Sequence, residues 1–253
     1  LRNIRLLIEY EGTDYVGWQF QPNGVSVQGL MEGALCLMTG EEINLKASGR
    51  TDAGVHSRGQ TANFHTGKDI PLKGFVHGLN SLLPRDISVW RADLVGEEFD
   101  SRRCALGKTY LYRIYNSQIP SALQRRFTWQ VRKPLDDRAM ARAGGFLVGA
   151  HDFEAFRSTG CDAPHAFREI TALTVERRGD IIEIEVTGSG FLRHMVRIIS
   201  GTLVEAGLGR LEPSAVPSII ESKDRKRAGD TAPPQGLLLK EVYYDEPVLE
   251  SYP

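Results

Sequence analysis

One order of elements occurs twice along this chain, and that repetition constrains the fold more than any other feature. In the first half, Asn3–Tyr10 (NIRLLIEY) has the β-branched and aromatic content of a strand. Val27–Thr39 (VQGLMEGALCLMT) carries apolar residues at helical spacing and stops at Gly40. Strands are expected at Ile43–Ala47 and Gln60–His65, a helix at Leu72–Leu83 ended by Pro84, and a strand at Ile87–Leu94.

The second half repeats the order β-α-β-β-α-β with insertions. Lys108–Asn116 alternates as a strand and Asp136–Leu147 is helical behind Pro134. Glu169–Arg177 and Ile181–Thr187, separated by Arg178-Gly179-Asp180, form a hairpin. Helices follow at Arg193–Ala206 and Pro213–Ser222, then a strand at Leu237–Tyr244. Each half therefore reads as a ferredoxin-like split βαβ unit, an α+β arrangement with helices on one face of an antiparallel sheet. The expected site is a central cleft where the two sheets meet. The halves are expected at 1–100 and 108–246, with a crossover at 101–107 and a tail at 247–253. At 253 residues the chain has the length for two such units of about 100–150 residues each.

Composition closes off several classes. The three cysteines, Cys36, Cys104 and Cys161, are widely spaced and form no CxxC pair, which argues against a disulfide framework or a zinc site and suits a reducing cytoplasm. No apolar run approaches the roughly 20 residues of a membrane span. The opening LRNIRLLIEYEG lacks a signal-peptide layout, so a cytoplasmic protein is expected. The net charge of −1 is not that of a non-specific nucleic-acid binder. Positive charge nonetheless comes in clusters, at Arg102-Arg103, Arg125-Arg126, Arg193 to Arg197 and Lys223 to Arg227, which favours a local polyanion-facing surface.

One segment follows neither the strand period nor the helix period: Gly49-Arg50-Thr51-Asp52-Ala53-Gly54-Val55-His56. It has no lysine for a phosphate-binding loop. Asp52 and His56 are an isolated pair without the further ligands a metal site needs. Two readings of Asp52 stay open on spacing alone. It is a turn-forming residue capping local N–H groups, or it is a nucleophile or general base kept ionised by a neighbouring guanidinium.

This segment resembles the signature of the TruA family of tRNA pseudouridine synthases, and the resemblance runs nearly end to end. Tyr15-Val16-Gly17-Trp18-Gln19 and Val27-Gln28-Gly29 resemble the family's opening segments, and Gly78-Leu79-Asn80 through Ile87 the middle of its first half. Phe99-Asp100-Ser101-Arg102 to Lys108-Thr109-Tyr110 is similar to the stretch carrying the family's active-site tyrosine. Gly149-Ala150-His151-Asp152-Phe153, Phe191-Leu192-Arg193-His194-Met195-Val196-Arg197 and Pro233-Pro234-Gln235-Gly236-Leu237 complete the series. Ser57 stands where alanine is expected.

The resemblance implies isomerisation of uridine to pseudouridine at positions 38, 39 and 40 of the tRNA anticodon stem-loop, without cofactor or metal, by a homodimer. Asp52 would be the catalytic carboxylate, attacking uracil C6 or ribose C1′ or drawing a ribose proton towards a glycal; the sequence does not separate these routes. Arg197 would keep Asp52 ionised and oriented. Tyr110 would pack its ring on the flipped uracil, its hydroxyl available to the C5 proton. Extracting a base from a stem costs a few kcal/mol, and Arg50 would fill the vacated space with its planar head. His56, Arg58, Arg102 and Arg103 are assigned to RNA phosphates or to loop packing. The alternatives are an RRM-like RNA-binding protein without catalysis, for which the expected interleaved aromatic strand is missing, and a carboxylate-dependent nucleoside hydrolase, which would need a second acidic group or a metal.

Overall fold

The structure, a computed structural model, describes residues Leu1–Tyr252. Its strands are β1 (Arg2–Tyr10), β2 (Lys46–Ala47), β3 (His56–Thr66), β4 (Ile87–Val95), β5 (Gly107–Tyr115), β6 (Trp129–Gln130), β7 (Gly149–Asp152), β8 (Phe167–Arg178), β9 (Ile181–Gly188), β10 (Leu237–Tyr243) and β11 (Val248–Tyr252). The helices are α1 (Val27–Thr39), α2 (Leu72–Leu82), α3 (Asp137–Gly145), α4 (Met195–Gly207) and α5 (Val216–Ser222). The fold is mixed α+β with mostly antiparallel strands; β6, beside β5, runs parallel. The chain forms two compact units, one of Leu1–Leu106 together with the residues from Leu239 onward, the other of Gly107–Leu238.

In the first unit β1 is flanked antiparallel by β3 and β4, β2 pairs with β3, and β11 pairs with β4. The alternation of β1 explains its orientation. Ile4, Leu6, Ile8 and Tyr10 are buried with Met31 and Leu35 of α1 and Phe75 and Leu79 of α2, each such apolar side chain contributing about 1.5–3 kcal/mol. Its intervening residues include Asn3 and Arg5, which carry polar chemistry on the other face. Ser26 caps α1 by accepting from the Gly29 N–H at 3.2 Å, and Gly40, at φ 68°, ends it.

The structure shortens the strand expected at Ile43–Ala47 to β2. The Leu45 N–H donates to Glu32 Oε1 at 3.0 Å, so a helix side chain takes the place of a ladder partner. The segment read as a tail carries β11. That strand depends on β4 and on Ser251 Oγ donating to Asp93 Oδ1 at 2.6 Å. The residues leading into the crossover expected at 101–107 are ordered by two buried amides. Asn3 Nδ2 donates to the Gly96 and Phe99 carbonyls, both at 2.9 Å. Asn63 Oδ1 accepts from Ser101 N–H and Oγ at 2.8 and 2.9 Å. Backbone groups that have no ladder thus find side-chain partners.

In the second unit β5 pairs with β9, β9 with β8 and β8 with β7. Helix α3 starts behind Asp136, whose Oδ1 accepts from the Ala139 N–H at 3.0 Å. The helix expected from Pro213 opens as a 3₁₀ turn, Pro213–Ala215, before α5. Tyr112, Met140, Phe153, Phe156, Ile184, Ile199 and Leu203 are fully buried at its centre.

Candidate active site

The loop carrying Asp52 joins β2 to β3 and is clasped from several directions. At its start, Ser48 N–H donates to the Thr61 carbonyl at 2.8 Å, and Gln60 Nε2 to the Gly49 carbonyl at 2.9 Å. At its centre the Thr51 carbonyl accepts from the Trp18 N–H at 3.1 Å, and Asp52 bridges to Gly17. Beneath it Thr51 Oγ1 and the Tyr10 hydroxyl share a buried hydrogen bond of 2.7 Å. Burial pushes the Tyr10 phenol up to about 12, against the lowering effect of its contacts to Thr51, Gln60 and Ser57. The loop closes in a turn, Val55 N–H to the Asp52 carbonyl at 3.1 Å.

Glycine makes this clasp possible. Gly17 has φ +110°, and a Cβ there would lie 2.6 Å from the Thr51 carbonyl oxygen; a Cβ on Gly12 would collide with the Val55 carbonyl. Part of the room that small residues create is taken by the loop's own backbone neighbours. What results is a rigid main chain under a half-buried Asp52 and an exposed Arg50.

The remaining first-unit candidates separate. His56 is 3% exposed, and its Nδ1 accepts from the Gly12 N–H at 3.0 Å. That bond packs the ring against the backbone at Gly12. Arg58 is exposed at a groove of about 500 Å³ that is also lined by Arg5, Arg91, Asp93, Lys240 and Tyr244. Sequence clusters did not reveal Arg5 and Arg91; their signal is the period-two polar face of β1 and β4. Arg5 is held by two bonds to Asp93 Oδ2, at 2.8 and 2.9 Å, with its guanidinium 5.4 Å from the Phe99 ring centre.

Arg102 and Arg103 are exposed side chains on a turn organised by Asp100, whose Oδ1 accepts both of their N–H groups at 3.0 Å. Burial pushes the Asp100 carboxyl up. Those N–H groups, with the cations of Arg103 and Lys46, outweigh it and hold the carboxyl below the ordinary range. The Arg103 head is engaged with Asp100 at 3.4 Å.

The second unit carries Tyr110 and Arg197. Tyr110 lies on β5 opposite Val186 of β9 and is half-buried, its ring meeting Phe191 edge-to-face with centroids 5.2 Å apart. Phe191 is a ring neighbour of Tyr110 that spacing did not single out. Arg197 occupies the first turn of α4, half-buried, with Nε donating to the Ala232 carbonyl at 2.7 Å while Ala232 N–H returns a bond to the Arg197 carbonyl at 3.1 Å. Neighbouring Tyr112 is core; burial raises its phenol above the usual range, the Arg197 charge opposes that rise, and its hydroxyl donates to the Pro233 carbonyl at 2.8 Å.

The model of the tRNA pseudouridine synthase family matches residues 6–102 and 145–245. The chain is 50% identical to tRNA pseudouridine synthase A of Myxococcus xanthus over 242 residues, 95% of this chain and 91% of that protein. It is 48% identical to the enzyme of that name from Pelobacter propionicus and 49% to that from Acetivibrio thermocellus, each over 244 residues, 96% of this chain and 100% of the relative. Among solved structures, a chain of a Cbf5-Nop10-Gar1 complex superposes with a TM-score of 0.33 at 12% identity, over 81% of this chain and 53% of that one, too distant a likeness to carry an argument. Family model and relatives agree over nearly the whole length: the chain belongs to the tRNA pseudouridine synthase family, and its activity is that family's isomerisation of uridine to pseudouridine in tRNA.

Proposed function

We propose that the substrate is the anticodon stem-loop of tRNA, with uridines 38, 39 and 40 as targets, and that Asp52 is the catalytic carboxylate. The observation that carries the assignment of Asp52 is the clasped loop: its main chain is fixed by Ser48, Thr51 and Val55 while Asp52 itself stays half-buried. A fixed carboxylate beside the solvent boundary suits a group that must meet a large substrate in one geometry.

The isomerisation breaks the bond from ribose C1′ to uracil N1 and forms one from C1′ to C5. The C5 proton leaves and N1 gains one, so no external oxidant or reductant is consumed. In this reading Asp52 reacts at C6, at C1′ or with a ribose proton. A carboxylate suits C1′ capture in particular, being both a nucleophile and a tolerable leaving group. Arg50, exposed beside Asp52, fills the helix once the base is extruded. Tyr110, steadied by Phe191, packs on the uracil, and Arg197 holds the negative charge of Asp52. Arg58, Arg102 and Arg103 meet RNA phosphates. Each unit is assigned as a ferredoxin-like half, the first with strand order β4-β1-β3-β2. The enzyme is further proposed to work as a cytoplasmic homodimer; no described helix is long and apolar enough to cross a membrane.

The test uses tRNA transcripts tritiated at uridine C5. Wild type should release tritium, and Asp52→Ala should bind the same tRNA without releasing any. Release by Asp52→Ala at the wild-type rate would remove Asp52 from the chemistry. Tight binding by wild type without release would favour an RNA-binding protein that lacks catalysis.

A further inference from the structure

The basic run Lys223-Asp224-Arg225-Lys226-Arg227 reads in sequence either as a loop touching RNA or as a charged surface turn. The structure spends most of its charge inside the second unit. Lys223 Nζ pairs with Asp152 Oδ2 at 2.6 Å, and Arg227 donates to the carbonyl and hydroxyl of Ser218 at 3.2 and 3.1 Å. Arg225, half-buried, is turned towards its own chain: Nη1 donates to the Gly229 carbonyl at 2.9 Å and the Ala228 carbonyl at 3.4 Å, and Nη2 to Thr231 Oγ1 at 3.1 Å.

The segment gripped in this way, 228–232, is a strap laid across α4. Gly229 N–H donates to Thr202 Oγ1 at 2.9 Å. Gly201 lets the strap's backbone touch the helix, since a Cβ there would collide with the Asp230 carbonyl. The strap ends at Ala232, 1% exposed, whose carbonyl takes the Nε of Arg197 and whose N–H binds the Arg197 carbonyl. With Nε bonded to the Ala232 carbonyl, the plane of the Arg197 guanidinium follows where that carbonyl sits. A guanidinium fork is the side chain that can hold several acceptors in a fixed plane at once.

We propose that Arg225 is a positioning residue for Arg197. It sets the strap from which the Ala232 carbonyl aims the Arg197 guanidinium, and Arg225 is thereby part of the catalytic architecture and not a phosphate contact. This rests on the reading of Arg197 as the partner of the catalytic carboxylate.

The test measures single-turnover tritium release at saturating enzyme, with tRNA affinity over a range of salt, for Arg225→Ala, Arg225→Lys, Thr231→Val, Arg197→Ala and the double variant Arg197→Ala/Arg225→Ala. Misaiming a catalytic group by about 1 Å can cost up to about 100-fold in rate. Both Arg225 variants are therefore expected to lose about 10- to 100-fold in rate with tRNA affinity and its salt dependence unchanged. Lysine keeps the charge but not the fork, so it should not rescue. Thr231→Val, which removes one of the three acceptors and leaves the core alone, should lose less in the same direction. In the double variant Arg225→Ala should cost nothing beyond Arg197→Ala. Lys226→Ala is expected to keep the wild-type rate.

Three results would overturn the proposal: an unchanged rate in Arg225→Ala and Thr231→Val, full rescue by lysine with a salt slope lower by about one in Arg225→Ala, or an undiminished loss when Arg225→Ala is added to Arg197→Ala. A wild-type rate in Arg197→Ala would sink the underlying reading of Arg197 and this proposal with it. Loss in Arg197→Ala alone would sink only the role of Arg225.

Discussion

Replacing Tyr10 by phenylalanine tests whether the Asp52 loop stands on the buried hydroxyl pair beneath it. Tyr10 is 2% and Thr51 7% exposed, so Tyr10→Phe leaves Thr51 Oγ1 short of its 2.7 Å partner, at a cost of about 1–3 kcal/mol near neutral pH. The phenol adds a pH signature. It holds its proton up to about 12 in the folded protein, against about 10 in the unfolded chain. The resulting stabilisation is complete below pH 10 and is lost as the pH rises from 10 through 12. By linkage wild type should lose about 1.4 kcal/mol at pH 11 that Tyr10→Phe does not lose. The gap between the two proteins should therefore narrow by that amount from pH 7 to pH 11. Urea unfolding followed by tryptophan fluorescence reads this locally, because the Trp18 ring lies 6.0 Å from that of Tyr10. A gap that is absent at pH 7, or that stays constant to pH 11, would refute the reasoning.

Two further substitutions probe the same loop. Gly17→Ala must place a Cβ 2.6 Å from the Thr51 carbonyl at φ +110°, so it should destabilise the protein by about 1–3 kcal/mol in thermal melts and slow tritium release even at saturating tRNA. His56→Ala strands the buried Gly12 N–H and should cost about 1–3 kcal/mol of stability while leaving the salt dependence of tRNA binding unchanged; a lower salt slope would make His56 a phosphate contact after all.

Much of this protein was legible from local chemistry. Helix α1 runs from Val27 to Thr39 as its periodicity predicts, because Ser26 and Gly40 mark its ends whatever surrounds them. The β8–β9 hairpin is similarly local, with Gly179 at φ +63° in its turn. The Asp52 loop stood out for another reason, its departure from both the strand and the helix period, while spacing left open whether Asp52 forms a turn or reacts. Long-range partnership was not legible. Strand β11 exists because β4 offers an edge, and β2 is short because Glu32 captures the Leu45 N–H. His56 was left between an RNA phosphate and loop packing, and the run holding Arg225 read only as a basic cluster, since sequence records side chains and not their partners. Tertiary structure turned one towards the Gly12 N–H and the other towards the carbonyls of its own strap. Intrinsic preference over a few residues determines caps, turns and periodicity, whereas the direction of a long polar side chain is decided by which donors and acceptors the rest of the fold leaves within about 3 Å of it.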